Sequence, residues 1–176
     1  TVDKPNHGKI SALIDLWHPR GAIVESAADA KRFPSPLFGG IPVVYLDAHH
    51  GDLARMDGRI GCVEHDPNAT SRIAAKELIS GDCASYAFIP NFFAVPWSRA
   101  REAAFRETLA LNGKEPVSFQ FKRKTEDMIR WHIDLCNFLK RLPKPCGVFA
   151  ANDYVGESVL VACADIGLSV PGDVAV

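Results

Sequence analysis

The chain has 176 residues, 47% hydrophobic and 23% charged, with 20 Lys and Arg against 21 Asp and Glu. That is enough apolar material for one ordinary domain or two small lobes, and a near-neutral chain without a long basic tract lacks the phosphate-binding surface that DNA recognition needs. No apolar run approaches the roughly 20 residues that cross a bilayer, and the opening TVDKPNHGK is polar rather than signal-like, so the expectation is a cytoplasmic protein with no membrane partner.

In chain order, GKISALIDLWH (8–18) places Ile10, Leu13, Ile14 and Trp17 at helical spacing, and Pro19 ends that helix before the short β-branched run GAIVES. FPSPLFGG supplies turn chemistry ahead of a second strand, IPVVYLD (41–47), and RIGCVEHD (59–66) is a third. Asn68 or Thr70 can cap a helix running to about Ile79, with Ile73, Ala74 and Leu78 on one face. The strand SYAFIP (85–90) follows, then an aromatic loop and a helix over 98–112 with Ala103, Phe105, Leu109 and Leu111 as its apolar contacts, stopped by Gly113. PVSFQF is a strand, 125–142 a helix, CGVFAA (146–151) a strand, 153–166 a helix, and DVAV opens a last strand. Apolar strands alternating with helices imply α/β architecture with parallel sheets buried on both faces, in an open, doubly wound arrangement. The chain opens on a helix and stops within a strand, so both ends are expected to continue in a larger protein.

Five cysteines (Cys62, Cys83, Cys136, Cys146, Cys163) are scattered, odd in number and without a CxxC pair, which reads as small core residues in a reducing compartment. The chain has no GxGxxG after a strand, no GxxxxGK[ST], no GxSxG and no HExxH. His49-His50 and Glu64-His65 lack the spacing of a metal site and read as solvated loop. Neither a cofactor nor a catalytic role is expected, Asp153 being the one acid that tempts toward an α/β enzyme.

Ligands of open α/β sheets lie beyond the carboxyl ends of the strands. There the chain places Glu25 and Ser26, Asp47, Asn91 with Phe92 and Phe93, and Asn152-Asp153. Asp47, Arg101 and Asn152 could bind vicinal hydroxyls while Trp97 or Phe93 stacks on the apolar face of a sugar ring. The plainer readings are a turn residue for Asp47 and a helix cap for Asp153. Arg99 and Arg101 sit two positions apart and so cannot share a helix face; one can enter the crevice while the other is solvated.

IPVVYLD, DPNATSRIAAKELI, YAFIP, WSRAREAAFRETL and GVFAANDYVGESVLVACADIGLSVPGDVAV occur in the order and spacing of the sugar-sensing domain of the lactose/galactose-repressor family, which the chain resembles over nearly its whole length. RLPKPCGVFAAND and WSRAREAAF more closely resemble xylose-operon regulators, whose sensor precedes a C-terminal helix-turn-helix module of the arabinose-regulator type. The resemblance implies the type I periplasmic-binding-protein fold, two Rossmann-like lobes with ligand in the cleft, here an incomplete first lobe at 1–66 and an incomplete second at 67–176, with the crossover near Glu64 to Pro67. It also implies sugar contacts from Asp47, Arg101 and Asn152, with Asp153 as the acid beside the Asn. The family's opening strand and helix, and a sugar-contacting acid expected just past Val176, are missing from this chain. The expectation is an effector-sensing domain of a transcription regulator, dimeric, binding a small carbohydrate such as xylose and reaching DNA only through a module outside this chain. The alternative on the same fold is a periplasmic sugar-binding component of a transporter, against which five unpaired cysteines argue. With Asp153 placed to cap the helix 153–166, Asn152 is the expected ligand contact.

Overall fold

The computed structural model of the chain describes residues 7–25, 35–46, 60–93, 95–121 and 127–176. Cα packing divides the chain into two compact units, Thr1–His65 and Asp66–Val176.

In the first unit, α1 (His7–Trp17) precedes three short strands, β1 (Ala22–Glu25), β2 (Val43–Leu46) and β3 (Ile60–Val63). They form one parallel sheet in sequence order, with Ala22 opposite Val43 and Val43 opposite Ile60. Val24, Phe38, Val43 and Tyr45 make its core, against which Ile10 and Ile14 of α1 pack. The helical stripe expected of α1 is only half used, because Leu13 and Trp17 face outward, Trp17 being 73% exposed.

The second unit runs α2 (Pro67–Ser80), β4 (Ser85–Ile89), α3 (Pro96–Ala110), β5 (Pro116–Ser118), α4 (Met128–Arg141), β6 (Cys146–Ala150), α5 (Asp153–Asp165) and β7 (Val174–Ala175). Its parallel sheet has the order β5-β4-β6-β7. Two apolar layers sandwich that sheet. Ala87, Ile89, Val148 and Val174 pack with Trp131, Leu135 and Leu139 of α4 and Val155, Val159 and Cys163 of α5. On the other side Tyr86 and Phe88 pack with Ala75 of α2 and Phe105 and Leu109 of α3. Both faces of β4 are buried, as a central parallel strand requires.

The sequence misplaces two details of α2. Its cap is Asp66, not Asn68 or Thr70: the Asp66 carboxylate accepts from the N–H groups of Asn68 (2.8 Å) and Ala69 (3.0 Å), and Pro67 fills the first helical position, where no N–H is needed. Its buried stripe is Ser71 and Ala75, with Leu78 and Ile79 half-buried against the core, while Ile73 is 64% exposed. Small residues occupy the stripe because α2 presses against α3 on one side and β6 on the other. At β6 the approach is so close that a Cβ on Gly147 would sit 3.2 Å from Leu78 Cβ. Helix α3 likewise begins two residues earlier than its periodicity suggests, with Pro96 at its start, and it closes on Leu111 and Gly113, the latter at φ 68°. Of its expected contacts Phe105 and Leu109 are buried, whereas Ala103 and Leu111 are exposed.

Strand β5 is an edge strand, and Arg106 of α3 guards it. One guanidinium nitrogen donates to the Pro116 carbonyl (3.2 Å) and the other to Ser118 Oγ (3.0 Å), while the Ser118 hydroxyl donates to Glu102 (2.5 Å). A charged group on an outward carbonyl blunts edge-to-edge association.

Candidate functional site

From β4 the chain leaves through α3 to β5 on one side, then returns through α4 to β6 on the other side of β4. The order reverses between β4 and β6, and at such a reversal the connections leave opposite faces and open a crevice beyond the carboxyl ends of the two strands. Residues 90–93 after β4, the first turn of α3 and the Ala151-Asn152 turn after β6 border it. Ala151 N–H donates to the Ile89 carbonyl (2.9 Å), extending the pairing one residue past β6 and fixing where that turn starts.

The loop after β4 is held by its own polar groups. Asn91 N–H donates to the buried Ser98 hydroxyl (3.1 Å), and Asn91 Oδ1 accepts from Phe93 N–H (2.9 Å), a side-chain-closed turn that separates the two phenylalanines. Phe92 turns inward, with ring centroids 5.9 Å from Phe121 and 6.2 Å from Trp131. Phe93 turns outward and is 62% exposed, edge-on to Phe92.

Trp97 and Arg101 lie four residues apart on α3 and therefore on one face. The guanidinium carbon of Arg101 stands 5.1 Å from the Trp97 ring centroid, a cation–π stack, and Nη1 donates to the Ala151 carbonyl. One Trp97 face is thus covered, which leaves Phe93 the more open of the two aromatic candidates. Arg99 is exposed, so of the two arginines Arg101 is the one beside the turn.

Asn152 caps α5. Its backbone is extended (φ −159°, ψ 179°) and its Oδ1 accepts from Val155 N–H at 3.0 Å. The expectation that Asp153 caps this helix is therefore wrong: Asp153 is already its first helical residue, exposed, and a cap must come from the extended residue before the first turn. Its carboxylate instead adds favourable charge at the helix N-terminus. The cap engages only Oδ1 of Asn152 and leaves its two amide N–H groups, in a half-buried side chain, available as donors. Asp47, the remaining expected contact, and the His49-His50 pair lie outside the described residues.

Sequence reasoning missed Ser71 and Ser98, two of the buried polar residues of this unit. The available signal was their spacing, Ser71 standing four residues from Ala75 and Ser98 seven from Phe105 on helices whose buried stripes those residues mark.

Among the described residues no group of three His, Cys, Asp or Glu side chains could hold a metal ion, and no helix is long and apolar enough to cross a membrane. None of the five cysteines is in a disulfide, and burial pushes the thiols of Cys83, Cys136, Cys146 and Cys163 upward, away from the reactive thiolate. A groove of about 680 Å³ along β5 and α4 is lined by Ser118, Phe119, Asp134, Asn137 and Arg141 among others, and by none of Asn91, Trp97, Arg101 or Asn152.

A parallel α/β unit whose strand order reverses between β4 and β6 has the architecture of a periplasmic-binding-protein-like lobe. The model of the periplasmic binding protein-like domain matches residues 62–176, well over half of the chain, and the chain belongs to that family. No curated protein sequence matches. Among solved structures, the chain resembles a xylose-binding transcription activator, xylR, at 19% identity and TM-score 0.71, covering 99% of this chain and 51% of that one. A periplasmic binding protein/LacI transcriptional regulator from Alkaliphilus metalliredigens, complexed with D-xylulofuranose, is similar at 19% identity and TM-score 0.66, covering 98% and 60%. The lac repressor dimer bound to operator and anti-inducer is similar at 15% identity and TM-score 0.68, covering 96% and 57%. These likenesses show the type I fold. The chain spans about half to three-fifths of the length of these proteins.

Proposed function

We propose that this chain is the effector-sensing part of a cytoplasmic, dimeric transcription regulator that binds a small carbohydrate, a pentose such as xylose, at the strand reversal between β4 and β6. Arg101 and the Asn152 amide donate to sugar hydroxyls, and Phe93 or Trp97 supplies the apolar wall, with Asp153 beside the Asn. On this reading residues 1–66 and 67–176 belong to the two lobes of the sensor. Binding favours one of two pre-existing conformations, and the difference is relayed to a DNA-binding module elsewhere, of the arabinose-regulator type. No bond is made or broken.

The observation that carries this reading is the pairing of Arg101 with the turn that presents Asn152. A guanidinium bonded to the carbonyl just before the Asn sets two hydroxyl-binding groups side by side, at the place where this sheet topology puts ligands. The similar xylose-binding activator and the similar regulator complexed with D-xylulofuranose support the sugar class. The sugar-binding component of a transporter shares the fold, but five cysteines without a disulfide suit a reducing compartment better. Calorimetric titration of the complete sensor with pentoses and hexoses tests the reading. The expected result is saturable binding of at least one sugar by the wild type and binding weakened about 10- to 100-fold in Arg101→Ala, as loss of a charged hydrogen-bond donor gives; no saturable sugar, or an unchanged Arg101→Ala, overturns it.

A further inference from the structure

Arg101 is held from two sides. Its guanidinium reaches forward to the Ala151 carbonyl, and its own backbone carbonyl is gripped from behind by a residue 30 positions earlier. Ser71, in the second turn of α2 and fully buried, has its hydroxyl 2.9 Å from the Arg101 carbonyl and 2.7 Å from the Pro67 carbonyl, one proton shared between two acceptors.

A serine inside a helix ordinarily satisfies its hydroxyl on the carbonyl four residues back, at slight cost to the helix. Such a bond to Pro67 alone would satisfy Ser71, so the second acceptor is not needed for burial. The Arg101 carbonyl, for its part, already lies within α3, so it takes the Ser71 hydroxyl as an additional donor on its second lone pair. What the contact adds is a fixed axial and rotational position for α3 at Arg101. The side chain that leaves this residue must meet the Trp97 ring on its own helix and a carbonyl on a different strand connection. An Arg side chain has enough rotamers to reach one of these from many helix positions; meeting both requires its Cα to be placed.

We propose that Ser71 is a positioning residue for the ligand site, fixing Arg101 through its main chain so that the guanidinium is held, before ligand arrives, between Trp97 and the Ala151-Asn152 turn. The second buried serine works on the same helix: Ser98 accepts from Asn91 N–H and holds the aromatic loop to α3. The first turns of α3 thereby gather the loop after β4 and the turn after β6, and Ser71 anchors that assembly to α2. The benefit is preorganisation, since a guanidinium already restrained in its binding geometry loses less rotamer freedom on association. The inference rests on the sugar-site reading for its functional consequence and on the structure alone for the positioning itself.

Two measurements on the full-length protein separate these. In the ligand-free protein, the Arg101 side-chain Nε–H signal in a nitrogen-15 NMR spectrum, assigned by its loss in Arg101→Ala, carries the ring-current shift of Trp97. Ser71→Ala, which fits the buried space and keeps every helical backbone bond, is expected to move that signal toward its position in Trp97→Leu. An unmoved signal overturns the positioning role. The second measurement is D-xylose titration of the wild type, Ser71→Ala, Arg101→Ala and the double variant. Ser71→Ala is expected to weaken binding about fivefold, the factor that a lost hydrogen bond of ordinary strength gives, and to have no further effect once Arg101 is Ala. An equal Ser71→Ala penalty in both backgrounds means that the serine acts on general stability, and overturns the proposal. If the wild type binds neither D-xylose nor another pentose, the sugar reading fails, and the NMR shift still decides whether Ser71 positions Arg101.

Discussion

Asn152 carries two assignments at once, a structural one through Oδ1 and a proposed ligand contact through its amide N–H groups, and substitution separates them. Removing the cap in Asn152→Ala leaves the Val155 N–H without its 3.0 Å partner and is expected to cost about 1 kcal/mol, a fall in midpoint temperature of roughly 3–5 °C for a unit of this size. Asn152→Asp keeps an acceptor in the same place and adds negative charge at a helix N-terminus, worth about 0.3–1 kcal/mol, so it should be as stable as the wild type or slightly more. An ionised carboxylate, however, donates nothing. If the amide donates to a sugar hydroxyl, Asn152→Asp loses that bond and sets a carboxylate against the ligand, a loss of about 1–3 kcal/mol or roughly 5- to 150-fold in Kd. Thermal melts and calorimetric titration of the three proteins provide the comparison. An Asn152→Asp variant that melts as early as Asn152→Ala refutes the cap argument; one that binds sugar as tightly as the wild type refutes the ligand assignment while leaving the cap intact.

Gly147→Ala would place a methyl group 3.2 Å from Leu78 Cβ and 3.3 Å from Cys83 Sγ, and urea unfolding is expected to show a loss of about 1–3 kcal/mol from overpacking. The Asp173 carboxylate accepts from both the N–H (2.8 Å) and the hydroxyl (2.7 Å) of Ser169, and these bonds hold its pKa below the ordinary 3.8. Its contribution to stability is therefore complete above the ordinary pKa and lost as pH falls through the lower native value, so unfolding measured from about pH 5 down to about pH 2 should lose part of its acid dependence in Asp173→Asn. With a thiol-specific reagent, half-buried Cys62 and Cys136 should label in the native protein, whereas buried Cys83, Cys146 and Cys163 should react only after unfolding; fast native labelling of all five would contradict the packing of the sheet.

The strands were readable because each is a short apolar run closed by a turn residue, and β2, β4 and β6 lie within a residue or two of where their runs place them. Helix faces were less legible. In α2 Ile73, as large as any apolar residue of that helix, is exposed while Ser71 is fully buried, because the stripe that meets a neighbouring helix at close range is selected by size and not by hydropathy. In α1 the periodic residues Leu13 and Trp17 face outward although Ile10 and Ile14 pack inward; the period identifies a helix but does not say how wide its covered stripe is. Caps failed for a different reason. Asp66, Asn68 and Thr70 are all eligible, as are Asn152 and Asp153, and the choice depends on which residue keeps an extended backbone while the next ones coil, a one-residue matter that side-chain type leaves open.

The site shows where sequence reading stops and why. That Arg101 rather than Arg99 would stand beside Asn152 depends on α3's rotation about its axis, and this is set by contacts 30 and 50 residues away, at Ser71 and Ala151. Neither contact has a periodic signature. Both involve backbone carbonyls, which every residue carries, so composition says nothing about which one is used. The same contacts explain how a polar crevice is compatible with folding. Arg101 is restrained at Ala151, and Asn152 uses its oxygen on the helix end while keeping its two amide N–H groups. A restrained polar group with donors left over is what a hydroxyl-rich ligand can bind without first having to order the site.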